Sequence, residues 1–285
     1  MQQDTQKPAV DKVTIRNSSM AQQVFHDVAI ELSVRAFSDW EGEEEYLLHL
    51  KRRTENPQGV VSDIQSGIKH IETAIRSGHT ADNYIINMYK SVAITALLEA
   101  TIIDMENTGH TERIYAMDAF EERLGEPGER FFEVECDEES YAESVERATV
   151  DPLGAVSDIR VELDRIESAA CDKASPDAWE LLIRPFERIG QIAFVAYSIG
   201  LLRVMYNSCR EQIEQNYRII DNIRVYDHEV DELISALPNC DSLYGVIVKK
   251  EDAKRIGKRA IADVLDSIRK TLKVIAQLED AGIYG

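Results

Sequence analysis

The sequence matches itself. Residues 43–74 lie over residues 138–169 without a gap, at an offset of 95 residues. A chain with such self-similarity is expected to fold the same supersecondary unit twice, which constrains it more than any composition does. Identities fall at Glu43/Glu138, Glu44/Glu139, Tyr46/Tyr141, Arg52/Arg147 and Thr54/Thr149. They are densest at Pro57/Pro152, Gly59/Gly154, Val61/Val156, Ser62/Ser157, Asp63/Asp158 and Ile64/Ile159. Ile71/Ile166, Glu72/Glu167 and Ala74/Ala169 continue at helical spacing, and scattered matches extend the correspondence to 31–84 and 126–179.

The dense part has a direct physical reading. Asn56-Pro57 and Asp151-Pro152 each set a capping residue before a proline at the first helical position. Both copies are therefore expected to start a helix there, with Asn56 and Asp151 as side-chain caps. Asp63 and Asp158 sit early in those helices, where carboxylates favour the macrodipole, and Gly59 and Gly154 allow another backbone to come close. Each block then runs into an apolar stretch, residues 84–105 and 180–209. Small residues (Ala93, Ala96 and Ala100; Gly190, Ala193, Ala196 and Gly200) would let these two core helices pack tightly.

Only 21 of the 285 residues are Gly or Pro, which disfavours turn-rich β folds, and 44% apolar residues suffice for a sizeable core. The expected fold class is all-α: an internally duplicated helical bundle, two similar helical units plus an appended C-terminal helix. The organisation expected is a polar arm at 1–19, repeat 1 at 20–110, repeat 2 with a long core helix at 111–237, and a loop with a basic helix at 238–285. Helices are expected at 20–37, 42–54, 57–77, 81–107, 112–124, 138–149, 152–172, 177–235 and 250–280. Pro185 should kink or restart the long one. The joint between copies is placed at the Gly125-Glu126-Pro127-Gly128 turn. Phe131 to Glu135 alternates apolar and acidic residues as a short strand would, although helix is the prevailing expectation.

A net charge of −20 opposes phosphate backbones and anionic lipid, so no direct nucleic-acid contact is expected. The same acidity fits either ordinary solubility or a salt-rich habitat. The longest apolar run, residues 192–202, is too short to span a bilayer, and no membrane span is expected. Met1 to Ser19 resembles no signal peptide, and Cys136, Cys171, Cys209 and Cys240 form no metal-ligand cluster, so reduced thiols and a cytoplasmic or intracellular setting are expected.

Catalytic signatures are sparse. Glu-x-x-His pairs of the di-iron type, phosphate loops and nucleophile elbows do not occur in the sequence. His49, four residues from Glu45, and His228, among acids, read as exposed or capping residues. No metal or other cofactor is expected. An alternative, a carboxylate-dependent metal enzyme or small-ligand bundle, would draw on Glu41, Glu43, Glu44 and Glu45 with Glu99 and Asp104. Its site between the repeats would combine Glu99 and Asp104 with Arg203 and Tyr206. Glu99 interrupts an apolar helix, so it needs a partner, with Lys90, Arg203 or a hydroxyl as candidates. A prenyl-transfer enzyme would need paired aspartate-rich motifs that the sequence lacks. Arg203, Tyr206, Arg210, Tyr217, Arg218, Arg224 and Tyr226 suggest either a binding face or arginines paired to acids.

The charge is uneven. Residues 249–273 hold nine basic groups (Lys249, Lys250, Lys254, Arg255, Lys258, Arg259, Arg269, Lys270 and Lys273) against four acids, whereas 118–146 hold twelve acids and two arginines. The basic helix is expected to dock on an acidic protein surface, in the same subunit or a neighbouring one. The leading expectation for function is a non-enzymatic scaffold or interaction protein, a subunit of a homo-oligomer or larger assembly.

Overall fold

A computed structural model describes residues 19–37, 40–78, 83–110, 112–132, 151–171, 178–236 and 250–283. Eight helices and no strands occur among the described residues: α1 (Ser19–Phe37), α2 (Trp40–Glu55), α3 (Pro57–Arg76), α4 (Asn83–Thr108), α5 (Arg113–Phe132), α6 (Pro152–Cys171), α7 (Ala178–Ala236) and α8 (Lys250–Asp280). The all-α expectation holds. The helix expected at 138–149 and residues 133–135 of the suggested strand lie outside the described residues.

Helix α4 is the centre of the bundle. It is apolar almost all round and buries sixteen of its residues, from Ile85 to Met105. A helix of this kind is stable only when other helices enclose it. Its most extensive partner is α7, and α3 follows, with α1, α2 and α5 completing the shell. The two central helices run antiparallel, with Gly190 of α7 against Leu97 of α4 and Gly200 against Ile86. An added Cβ at Gly190 would come within 2.4 Å of Leu97 Cγ, and one at Gly200 within 2.8 Å of Ile86. Both α4 and residues 180–219 of α7 are long and apolar enough to cross a membrane by length and composition, with 78% and 61% of their apolar windows buried inside this fold.

Pro57 and Pro152 both open helices, as expected. The caps differ. The Asp151 carboxylate accepts the Gly154 amide at 3.0 Å, a side-chain cap. Asn56 makes no such bond, contrary to expectation; Gly59 donates instead to its backbone carbonyl at 2.8 Å. The reason is local, because the Asn56 amide still bonds the Arg52 carbonyl of α2 at 2.7 Å. One residue thus joins two helices, and its side chain packs beside Gly59.

Neither of two expected breakers ends its helix. Helix α5 runs through Gly125 to Phe132, where a turn was expected. Gly125 is not among the left-handed glycines, which are Gly78, Gly109 and Gly282 among the described residues. Burial of Phe120 and Leu124 outweighs the weak local propensity. Likewise α7 does not restart at Pro185, which lies inside one 59-residue helix. The carbonyl that Pro185 leaves without its helical donor belongs to Leu181, a residue 51% exposed, where water can serve it.

Helix α7 would extend about 88 Å against about 39 Å for α4. Beyond Tyr206 its buried positions thin to a stripe through Cys209, Ile213 and Asn216. That stripe faces α8, which returns antiparallel: Tyr206 donates to Glu279 at 3.0 Å and Asn216 to Ser267 at 3.2 Å. Helices α7 and α8 therefore form a two-helix arm leaving the body. Besides α7, α8 touches α1, and it makes no contact with the described part of α5.

Two glycine substitutions should separate close packing from helix propensity. Gly190→Ala forces Leu97, which is fully buried, away from α7 and should cost about 1–3 kcal/mol in thermal or urea unfolding. Gly125→Ala meets nothing within 4 Å and should stabilise by up to about 1 kcal/mol.

Candidate functional site

Three clusters of charged groups among the described residues each tie α4 or α7 to another helix. The first surrounds Glu99, 5% exposed at the middle of α4. One carboxylate oxygen lies 3.0 Å from His49 Nε2 and the other accepts from Arg53 Nε at 2.6 Å, both residues of α2. Arg53 also donates to Glu106 at 2.8 Å. Burial opposes the charge of Arg53, but Glu106 and Glu99 outweigh it and hold its pKa above the ordinary value. The expected partners of Glu99, Lys90 and Arg203, are elsewhere, and His49 is buried rather than exposed. Proximity on the folded α2–α4 contact, across 46 to 50 residues of sequence, decides this pairing.

Asp104, five residues on, belongs to a second cluster. Arg123 of α5 donates to Asp104 at 3.0 Å, to Glu187 of α7 at 2.7 Å and to the Ala119 carbonyl at 2.8 Å. One guanidinium thereby links three helices. In the third cluster Glu31 of α1 accepts from Lys90 of α4 and from the Tyr197 hydroxyl of α7 at 3.0 Å, with the Lys90 ammonium 5.6 Å from the Tyr197 ring centre. Burial opposes ionisation of Glu31, yet Lys90 and Tyr197 hold its carboxyl below the ordinary value. Burial, and then the Glu31 charge, pushes the Tyr197 phenol upward.

The four residues proposed for a site between the repeats are thus not brought together. Glu99 joins α2, Asp104 joins α5, and Tyr206 joins Glu279 of α8. Arg203 lines a small crevice with Tyr89, near the end of α3 and the start of α6. Both Glu99 oxygens are occupied by basic donors, an arrangement for an ion pair rather than for cation ligation. No group of three or more His, Cys, Asp or Glu placed to hold a metal ion occurs among the described residues. The side chains of Glu41, Glu43, Glu44, Glu45 and His228 lie outside them.

Of the nine basic residues near the C-terminus, Arg259, Arg269, Lys270 and Lys273 are exposed on α8, and Lys270 pairs with Asp266 at 2.8 Å. Lys249 and the side chains of Lys250, Lys254, Arg255 and Lys258 lie outside the described residues. On α7, Arg210, Tyr217 and Arg218 are exposed, and the side chains of Arg224 and Tyr226 are not described. Cys209 is a free, half-buried thiol whose pKa burial raises, which makes it a weak nucleophile. Sequence reasoning missed Arg53, Arg123 and Tyr89. The first two had one available signal, an arginine on a helix next to one carrying a buried acid.

Compared with known proteins, the chain matches no protein family, no curated protein and no solved structure.

Two outcomes follow for the ion pairs. Arg53→Met strips Glu99 of its strongest donor and should cost about 3–5 kcal/mol, whereas Glu106→Gln, at an exposed carboxylate, should cost at most about 1 kcal/mol. Chemical unfolding of both variants measures this. The Glu31 tie has a sign in pH: because its folded pKa is depressed, its contribution is present above the ordinary carboxylate pKa and is lost as pH falls through the lowered one. Lys90→Met should therefore flatten the acid limb of stability from the ordinary carboxylate range downward, read as the urea midpoint.

Proposed function

We propose that the chain is an internally duplicated, non-enzymatic helical scaffold whose α7–α8 arm docks on an acidic protein surface, in the first instance that of a second copy. The arm carries this reading. It leaves the body with Tyr217 at 53%, Leu265 at 41% and Leu272 at 48% exposure, and Leu265 and Leu272 are seven residues apart on one face of α8. Apolar side chains aligned this way favour a further helical surface over water. Beside them lies the net positive charge of 249–273, on a chain whose net charge is −20. The acidic segment 118–146 of a second copy is the complementary surface this reading names, with twelve acids against two arginines. A contact between two different patches would build a ring or an open filament rather than close as a simple pair.

Duplication is supported by element bounds. Helices α3 and α6 have 20 residues each and start at Pro57 and Pro152, while α4 and α7 start at Asn83 and Ala178, and α1 and α5 end at Phe37 and Phe132. Every one of these pairs is offset by 95. The members of each pair also touch: α1 with α5, α3 with α6, and α4 with α7. Contacts of like with like are what a two-fold relation between the copies would produce. The enzyme or small-ligand reading has no comparable observation.

Light scattering of the full chain from low to high salt tests the docking. The expected result is a mass above one chain that falls as salt screens the charge, and a single-chain mass at all salt concentrations for Leu265→Glu/Leu272→Glu. A single-chain mass for the unaltered protein at low salt overturns the self-association reading, as does an unchanged mass for the double variant.

A further inference from the structure

One place in the bundle gathers donors without an acceptor. Tyr89 of α4 is 5% exposed, and its hydroxyl has no hydrogen-bond partner, alone among buried side-chain polar atoms of the described residues. Burial pushes its pKa upward with no other influence. The crevice it lines also holds Arg203 of α7, which makes no ion pair or hydrogen bond among the described residues. Burial alone depresses the pKa of Arg203, in contrast to Arg53, where two glutamates outweigh the same cost. The third wall is Pro152, the first residue of α6, so the positive end of that helix dipole is close by.

The rest of the lining cannot repair this. Ile85, Ile86 and Ile199 offer only methyl groups and helix carbonyls already engaged within α4 and α7. The carbonyl of Ile75, at the end of α3, is taken by the Gly78 amide at 3.0 Å. Asp151 is exposed, turns its carboxylate to the Gly154 amide, and does not line the crevice. A buried hydroxyl without a partner and a desolvated guanidinium without an acceptor are each costly, and two in one crevice are costlier still. The space is about that of one water-sized species, too small for a metabolite.

A water molecule could accept from Tyr89, but it would leave the positive charge of Arg203 uncompensated. An anion the size of a halide would supply an acceptor for the hydroxyl and a counter-charge for the guanidinium, in a crevice that Tyr89 and Arg203 line together. We infer that the crevice between Tyr89 and Arg203 is a binding site for a small monovalent anion, chloride in size, clamped where α3, α4, α6 and α7 meet. Because these helices include both members of the central pair, occupancy should stabilise the fold by linkage.

The experiment uses the full chain. Its thermal midpoint is measured in sodium chloride and in sodium gluconate at equal concentration, gluconate being too large to enter, and crystals grown in sodium bromide are examined for anomalous scattering. The expected result is a midpoint that rises with the logarithm of chloride by several degrees over gluconate, and a bromide peak in contact with Tyr89 Oη and the Arg203 guanidinium. Tyr89→Phe and Arg203→Met should each fold and lose the chloride-dependent rise. Equal midpoints in the two salts, an undiminished chloride effect in both variants, or a crevice holding only water in bromide would overturn the assignment.

Discussion

The fold depends on how closely α4 and α7 approach. A helix buried on nearly every side needs neighbours at all azimuths, and one of them must carry residues small enough to leave room for its leucines and isoleucines. Gly190 and Gly200 provide that room, since a methyl group at either would overlap Leu97 or Ile86. Gly67 of α3 does the same for Val92, with an added Cβ 2.9 Å away. Contact at this distance fixes the level of one helix against the other, because Leu97 and Ile86 sit where a side chain on α7 would overlap them. The register of the two central helices rests on two absent methyl groups, at Gly190 and Gly200, and a third, at Gly67, seats α3 on α4.

Apolar packing of this kind selects distance but discriminates poorly among helices of similar composition. The buried charges supply the discrimination. Glu99 is satisfied only if α2 lies against the middle of α4, and Arg123 only if α5 lies where α4 and α7 both present acids. Glu31 places α1 across the same pair through Lys90 and Tyr197. Misplacing α1, α2 or α5 leaves Lys90, Glu99 or Arg123 without its partner inside the bundle, an error of several kcal/mol. Ion pairs of this sort contribute little net stability when formed, so their structural effect here lies in penalising the alternatives.

What the sequence made legible follows from how local each signal was. Helix starts at Pro57, Pro152 and Ala178, and the ends near Arg76 and Cys171, rest on proline, capping residues and apolar periodicity within a few residues, and all were readable to within a residue or two. Breakers misled at Gly125-Glu126-Pro127-Gly128, where burial of Phe120 and Leu124 overrode them, and Pro185 does not restart its helix because the carbonyl it frees lies at an exposed residue. The partners of Glu99 were not legible. Lys90 and Arg203 were natural candidates by helix membership, while the actual donors came from a helix whose sequence, rich in acids and bases throughout, reads as exposed. Tyr89 was invisible for the opposite reason, since a tyrosine in an apolar run reads as core and its unpaired hydroxyl appears only when the surrounding carbonyls are accounted for.

The anion crevice also bears on the duplication. If the copies are related by an offset of 95, the position matching Tyr89 is Arg184, and the one that Arg203 matches in the first copy is Thr108. The mate of the crevice would then lie at the other end of the α4–α7 contact, yet its chemistry is different. Arg184 is 76% exposed in its side chain and has Glu180 as an acceptor at 2.5 Å, and the Thr108 hydroxyl donates to the Asp104 carbonyl at 2.9 Å. Both of these side chains are paired. Two copies of one unit would begin with two equivalent ends, and the cost of an orphaned donor pair would be borne twice. Its presence at one end, with Arg184 and Thr108 paired at the other, is the pattern expected when one end keeps an occupant and the other is released to pair its own side chains.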